Sequence, residues 1–205
     1  MRIRPMGLIV LILGFAMFAA CAATSVRSQT DPQVAGRTFH KIMVLVNFSD
    51  LGMRQDAERQ FRTTLAVSRV EAVPSSELLF PGRDYSVEEI KKMLADAGIE
   101  AVLVVGPAGS GTTASWIPQT KTTEASATVS GNTVRGQATS RTYGGYAVQK
   151  PWAQFDASLF DVVSGANVWI ARMSSRGNAF AGWDDLARSM AKKASAQLLK
   201  DRILR

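Results

Sequence analysis

The seven residues Ile99 to Val105 (IEAVLVV) constrain the fold more than any other stretch of the chain. A short apolar run rich in β-branched residues, with Glu100 as its one polar member, reads as a strand buried on both faces. Strands of that kind belong to sheets covered by helices. The chain must therefore supply amphipathic helices. In the segment before the run, Ser86 and Glu89 stand in capping-box spacing, Val87, Ile90, Met93, Leu94 and Ala97 fall on one face, and Gly98 supplies the stop.

The same reading extends outward. Lys41 to Phe48 (KIMVLVNF) is a second buried strand, and Ala57, Phe61 and Leu65 place an apolar stripe on a helix over about residues 54–66. Glu58 and Arg62 are spaced to pair on that helix's wet face. A short strand over 69–73 ends at Pro74. Residues 154–163 and 167–174 make a hairpin about Ser164-Gly165-Ala166. A last helix over 183–204 turns Leu186, Met190, Ala194 and Leu198 inward, with Asp184 and Asp185 in its first turn. The order β-α-β-α-β, hairpin, helix predicts an α/β (α+β) domain with a mixed sheet flanked by helices.

The amino terminus has the parts of an export signal. Arg2 and Arg4 precede an apolar run, and from Met6 to Ala20 about fifteen residues carry no charge. A membrane-spanning helix needs about 20 such residues, so residues 1–20 are expected to be a cleaved signal. The junction Phe18-Ala19-Ala20-Cys21 resembles the bacterial lipobox, in which the cysteine receives lipid before cleavage. The alternative is an ordinary secretory signal followed by an incidental cysteine. Cys21 is the sole cysteine, so an exported chain could form no internal disulfide and an exposed free thiol would be a liability. Lipid on Cys21 gives it a purpose, and the several acyl chains of a lipoprotein suffice for stable anchoring. By the same resemblance, Ala22 implies the outer membrane, periplasmic face, rather than retention at the inner one.

The formal charge of the full chain is +7, of which two units belong to Arg2 and Arg4. The modest remainder reads as a solvated surface and does not imply nucleic acid. Residues 22–36 (AATSVRSQTDPQVAG) show no apolar period, and residues 21–36 are expected to form a lipidated cysteine and flexible tether ahead of a domain over 37–205.

Three segments together, VPSSELLF, AGIEAVLVVG and LFDVVSGANVWIARM, resemble a group of bacterial envelope domains. The group includes the curli secretion channel lipoprotein, the amino-terminal domain of the Tol-system translocation protein, and lipoprotein activators of penicillin-binding proteins. Asp161, Gly165 and Trp169 match the group's Asp-x-x-x-Gly-x-x-x-Trp hairpin spacing. The resemblance spans about residues 40–106 and 153–204 and speaks to fold more than to function.

Residues 108–150 depart from this pattern. Ser, Thr and Gly make up 20 of the 43, too few large apolar groups for a core of their own. They are expected to form a polar arm inserted in the domain, either a hairpin turning near Ser130-Gly131-Asn132 or a loop. Trp116 flanks it on entry and Tyr143, Tyr146 and Trp152 on exit. These four make a candidate partner surface, since aromatics anchor interfaces. A membrane-inserting hairpin is disfavoured, because the alternating positions are mostly Ala and Thr where a barrel needs an apolar outer face.

No chemical constellation stands out. Gly106 to Thr113 (GPAGSGTT) lacks the lysine of a phosphate-binding loop, with Thr112 in its place, so nucleotide is not expected. His40 is the sole histidine, which leaves histidine-based metal clusters and a serine triad without parts. Lys192, Lys193, Lys200, Arg202 and Arg205 complement the last helix's dipole. The expectation is a non-catalytic envelope lipoprotein without a cofactor, an accessory to another envelope protein. The alternative is an oligomeric pore subunit related to the curli channel.

Overall fold

The computed structural model describes residues 21–34, 36–130 and 133–205, with 127–130 and 133–136 described by backbone alone. The expected signal over 1–20 and the Gly131-Asn132 turn lie outside the described residues.

In chain order the elements are β1 (Ala22–Thr30), β2 (Lys41–Val46), α1 (Leu51–Ala66), β3 (Glu71–Pro74) and α2 (Ser75–Leu78). They continue with α3 (Val87–Asp96), β4 (Ala101–Ile117), β5 (Thr120–Ser130), β6 (Thr133–Tyr143), β7 (Tyr146–Asp161), β8 (Asn167–Gly177) and α4 (Trp183–Lys200). Among the described residues, six strands form one mixed sheet in the order β1-β8-β7-β4-β2-β3, and β5-β6 form a second, two-stranded sheet. β2, β3 and β4 are parallel, while β7, β8 and β1 join antiparallel in turn. The fold is the expected α/β class.

Strand alternation assigns the faces. Ile42, Val44 and Val46 of β2, with Leu103 and Val105 of β4, enter the large core beneath α1 and α4. Phe61 and Leu65 of α1, and Leu186, Met190 and Leu198 of α4, are fully buried there. Met43 points the other way, joining Leu94 and Ile99 in a smaller cluster under α3. Ser86 caps α3 with the reciprocal Glu89 bond in place. Helix α3 screens only the β2–β4 half of that face. Over β1, β8 and β7 it is open and polar, with Arg172 making a bidentate pair to Asp156 at 2.7 and 2.9 Å.

The Asp161 hairpin explains its spacing. The buried Asp161 carboxylate accepts N–H groups from Val163 and Ser164, the Ser164 hydroxyl, and Arg37 at 2.7 Å. Gly165 turns at φ +71, a conformation that disfavours a side chain. Trp169 is buried, its indole N–H donating to Asp201 at 2.8 Å.

Four expectations are corrected. Residues 22–30 are not a tether: they pair antiparallel with β8 from Ala22↔Gly177 to Thr30↔Trp169, so they belong to the sheet. The inward side chains of β1 are mostly small and hydroxylic. Thr24 bonds the hydroxyls of Ser175 and Ser189, and Ser28 bonds Asp201, so the strand shows no apolar period. Glu58 does not pair with Arg62 on a wet face. It is wholly buried, accepting from the Ser75 and Ser76 hydroxyls at 2.7 and 3.0 Å and from Arg54 at 3.3 Å. Arg62 instead reaches Glu77. Val87 lies off the buried face of α3 and is exposed. The last helix stops at Lys200, with Ile203 and Leu204 buried beyond it.

Candidate functional site

The strand directions bring the residues singled out in the sequence to one end of the molecule. β2, β3, β4 and β8 finish at this end, and β1 and β7 start there. Cys21, immediately before β1, therefore sits beside the loop that follows β8. The Asn178 N–H donates to the Cys21 carbonyl at 3.0 Å, and the Ser189 hydroxyl to the Ala22 carbonyl at 3.2 Å. The thiol is exposed while its backbone is held against the domain. A lipid on that sulfur would leave the domain directly, with no flexible spacer between.

The expected arm also leaves from this end. Beyond the last β7–β8 pair, Trp152↔Arg176, strands β4 and β7 continue as a two-stranded ribbon from Thr112↔Pro151 to Ile117↔Tyr146. Six pairs at ~3.4 Å per residue carry it about 20 Å past the sheet. Pro118-Gln119 and Gly144-Gly145 then interrupt the ladder before β5-β6 pair from Thr120↔Tyr143 to Ser130↔Thr133. Gly144 adopts φ +84, and a β-carbon there would stand 2.1 Å from the Pro118 carbonyl oxygen, so the joint requires glycine.

The four candidate aromatics are not brought onto one surface. Trp116 lies opposite Ala147, which alternation places on the helix-covered side of β7. Tyr146 and Trp152 have the other parity and face the open side. Trp116 and Tyr146 on the ribbon are 63% and 55% exposed, and Tyr143 at the end of β6 is 58% exposed. Trp152 is half-buried and lies over Gly111, where a β-carbon would meet its indole at 3.0 Å. Its ring packs the ribbon's root.

Sequence reading passed over a second set at this end. Phe180 in the β8–α4 loop is 65% exposed, and Trp183 at the start of α4 is 41% exposed. Trp183 also lines a groove of about 340 Å³ with Phe48, Met53, Pro107 and Phe155. The local sequence Asn178-Ala179-Phe180-Ala181-Gly182-Trp183 carried a signal, two large aromatics in a short loop, but helix periodicity had absorbed Trp183 as a first-turn residue.

Among the described residues no three His, Cys, Asp or Glu side chains are grouped to hold a metal ion. His40 is largely exposed, 3.8 Å from Glu100. No described helix is long and apolar enough to cross a membrane. Asp161 titrates below its ordinary value: burial opposes its ionisation, but the Ser164 and Val163 hydrogen bonds and the Arg37 charge outweigh burial. The Val163 and Ser164 bonds hold the turn, and Arg37 ties it to the segment ahead of β2.

No family model matches the chain, and no curated protein matches it. Among solved structures it is similar to the PelC dodecamer from Paraburkholderia phytofirmans, at 16% identity and TM-score 0.47, over 89% of this chain and 99% of that one. It is also similar to the lipoprotein GNA1162 from Neisseria meningitidis, at 14% identity and TM-score 0.42, over 78% of this chain and 98% of that one. Superpositions this loose lend the chain neither a role nor an assembly.

Proposed function

We propose that the chain is a non-catalytic lipoprotein of the bacterial envelope, anchored through lipid on Cys21 at the periplasmic face of the outer membrane. In this reading it acts as a binding or assembly accessory. The observation that carries it is the place of Cys21: an exposed cysteine directly after a lipobox-like junction and immediately before strand β1. The projecting ribbon supports the accessory role, because Trp116, Tyr143 and Tyr146 present large rigid side chains away from the core. Replacing Cys21→Ser should abolish uptake of labelled fatty acid and release the protein from membranes. Wild-type protein that takes up no label, with a mutant that still fractionates with membranes, would overturn the reading. Density-gradient separation of inner and outer membranes tests the location.

A second reading, an oligomeric pore subunit, draws on the ribbon's edges. From Thr112 to Ile117, β4 pairs only with β7 among the described residues, and open edges of this kind pair with other chains. Detergent-resistant oligomers would favour the pore; a monomer captured with another envelope protein would favour the accessory.

A further inference from the structure

Large apolar side chains are unevenly exposed over this molecule. Among the described residues eleven are exposed, and seven of them lie at or beyond the Cys21 end: Leu51, Val87, Phe180 and Trp183 around the sheet's rim, and Trp116, Tyr143 and Tyr146 on the arm, while Phe80 lies in the α2–α3 loop. The opposite end shows Val67 and Val163, and Ile170 lies on the open sheet face. Concentration of exposed apolar groups marks the surface that meets something other than water.

What it meets is indicated by Cys21. The backbone of Cys21 is bonded to Asn178, and Phe180 follows two residues later in the same loop. We infer that the corner of the domain bearing Cys21, Phe180 and Trp183 sits against the lipid bilayer, with both aromatic rings in the interfacial layer. The inference rests on the lipidation proposed above. A lipid on Cys21 has no spacer, so the headgroup layer lies within a side chain's reach of the loop. Tryptophan and other aromatics are the groups that favour that layer. Charge points to a contact of this apolar kind rather than to attraction by anionic headgroups. Asp184 is exposed beside Trp183, and Arg176 and Lys150 are exposed nearby, so both signs are present. The lipid and the two rings together fix the domain's orientation, which one flexible anchor would not do.

The test uses the full lipidated protein in phosphatidylethanolamine–phosphatidylglycerol vesicles containing lipid with brominated acyl chains, which quench nearby indoles. A Trp116→Phe background leaves Trp183 as the exposed tryptophan, Trp169 being buried and Trp152 half-buried. The expected result is quenching that persists at high salt and is lost on adding Trp183→Phe. Thermal melts confirm that each variant is folded. In a second measurement, Phe180→Trp in that doubly substituted, still lipidated protein should restore the quenching. Fatty-acid-labelled protein that binds vesicles but shows no quenching of Trp183 would overturn the orientation and leave the anchor standing. Protein that takes up no fatty acid and does not bind vesicles would overturn both.

Discussion

Among the described residues Glu58 and Asp161 are the two buried carboxylates, and each holds a junction together. Glu58 ties the end of β2, the first turns of α1 and the start of α2 through Val46, Arg54, Ser75 and Ser76. A buried carboxylate is tolerable only when its oxygens are fully bonded, and here both are. Asp161 is the better probe, because its titration has a defined sign. Its folded-state pKa is lowered, so the stability it contributes is present above the ordinary carboxylate value and lost as pH falls through the folded one. Melting temperatures of wild type and Asp161→Asn should therefore differ most above about pH 5 and converge towards about pH 2. A gap that stays constant over that range would mean that Asp161's charge does not hold the turn.

At the scale of elements, β4 is the centre of the molecule. Its first half pairs with β2 on one side and β7 on the other, and its second half leaves the sheet as a ribbon. Leu103 is fully buried where α1 and α4 cover the sheet. Leu103→Ala should destabilise the domain by about 2–5 kcal/mol in urea unfolding, as lost transfer energy plus an unfilled cavity. A loss under about 1 kcal/mol would show that the neighbours collapse into the space, contrary to a close-packed interior. Strand β1 works differently. Beside its backbone ladder to β8 and the packing of Ala22 and Val26, its side-chain bonds run through hydroxyls, and it brings to the domain edge the residue proposed to carry the lipid.

For the whole molecule, the question is whether the arm is part of the core or an appendage. The buried rows of β4 and β7 end near Pro151, and beyond it the ribbon has only its own ladder among the described residues. Loop-closure entropy changes slowly with length, so shortening a surface excursion costs little. Replacing residues 112–146 with a short Gly/Ser linker should leave a cooperatively melting, soluble domain. The same protein should lose its captured partner, because Trp116, Tyr143 and Tyr146 go with the arm. Non-cooperative melting would show that the ribbon stabilises the sheet. Cooperative melting with undiminished capture would move the binding surface elsewhere.

The strands Lys41–Val46 and Ala101–Val105, the capped helix after Ser86, the inward face of α4 and the Asp161–Gly165 turn were all readable from the chain alone. Each is specified by neighbours within a few residues: an apolar run, a 3.6-residue period, a capping pair, a carboxylate beside its own turn. The aromatics of the arm were readable as residues, but not their division between two faces, which depends on a register between strands. Strand β1 and the burial of Glu58 belonged to tertiary structure. Thr24 finds its hydroxyl partners at Ser175 and Ser189, and Glu58 gathers its donors from separate elements, so neither leaves a local period to read. Only the folded sheet, by running β1 against β8, decides that Cys21 shares an end with Phe180, Trp183 and the ribbon. Local sequence specifies short-range geometry, whereas that shared end follows from pairings between segments far apart in the chain.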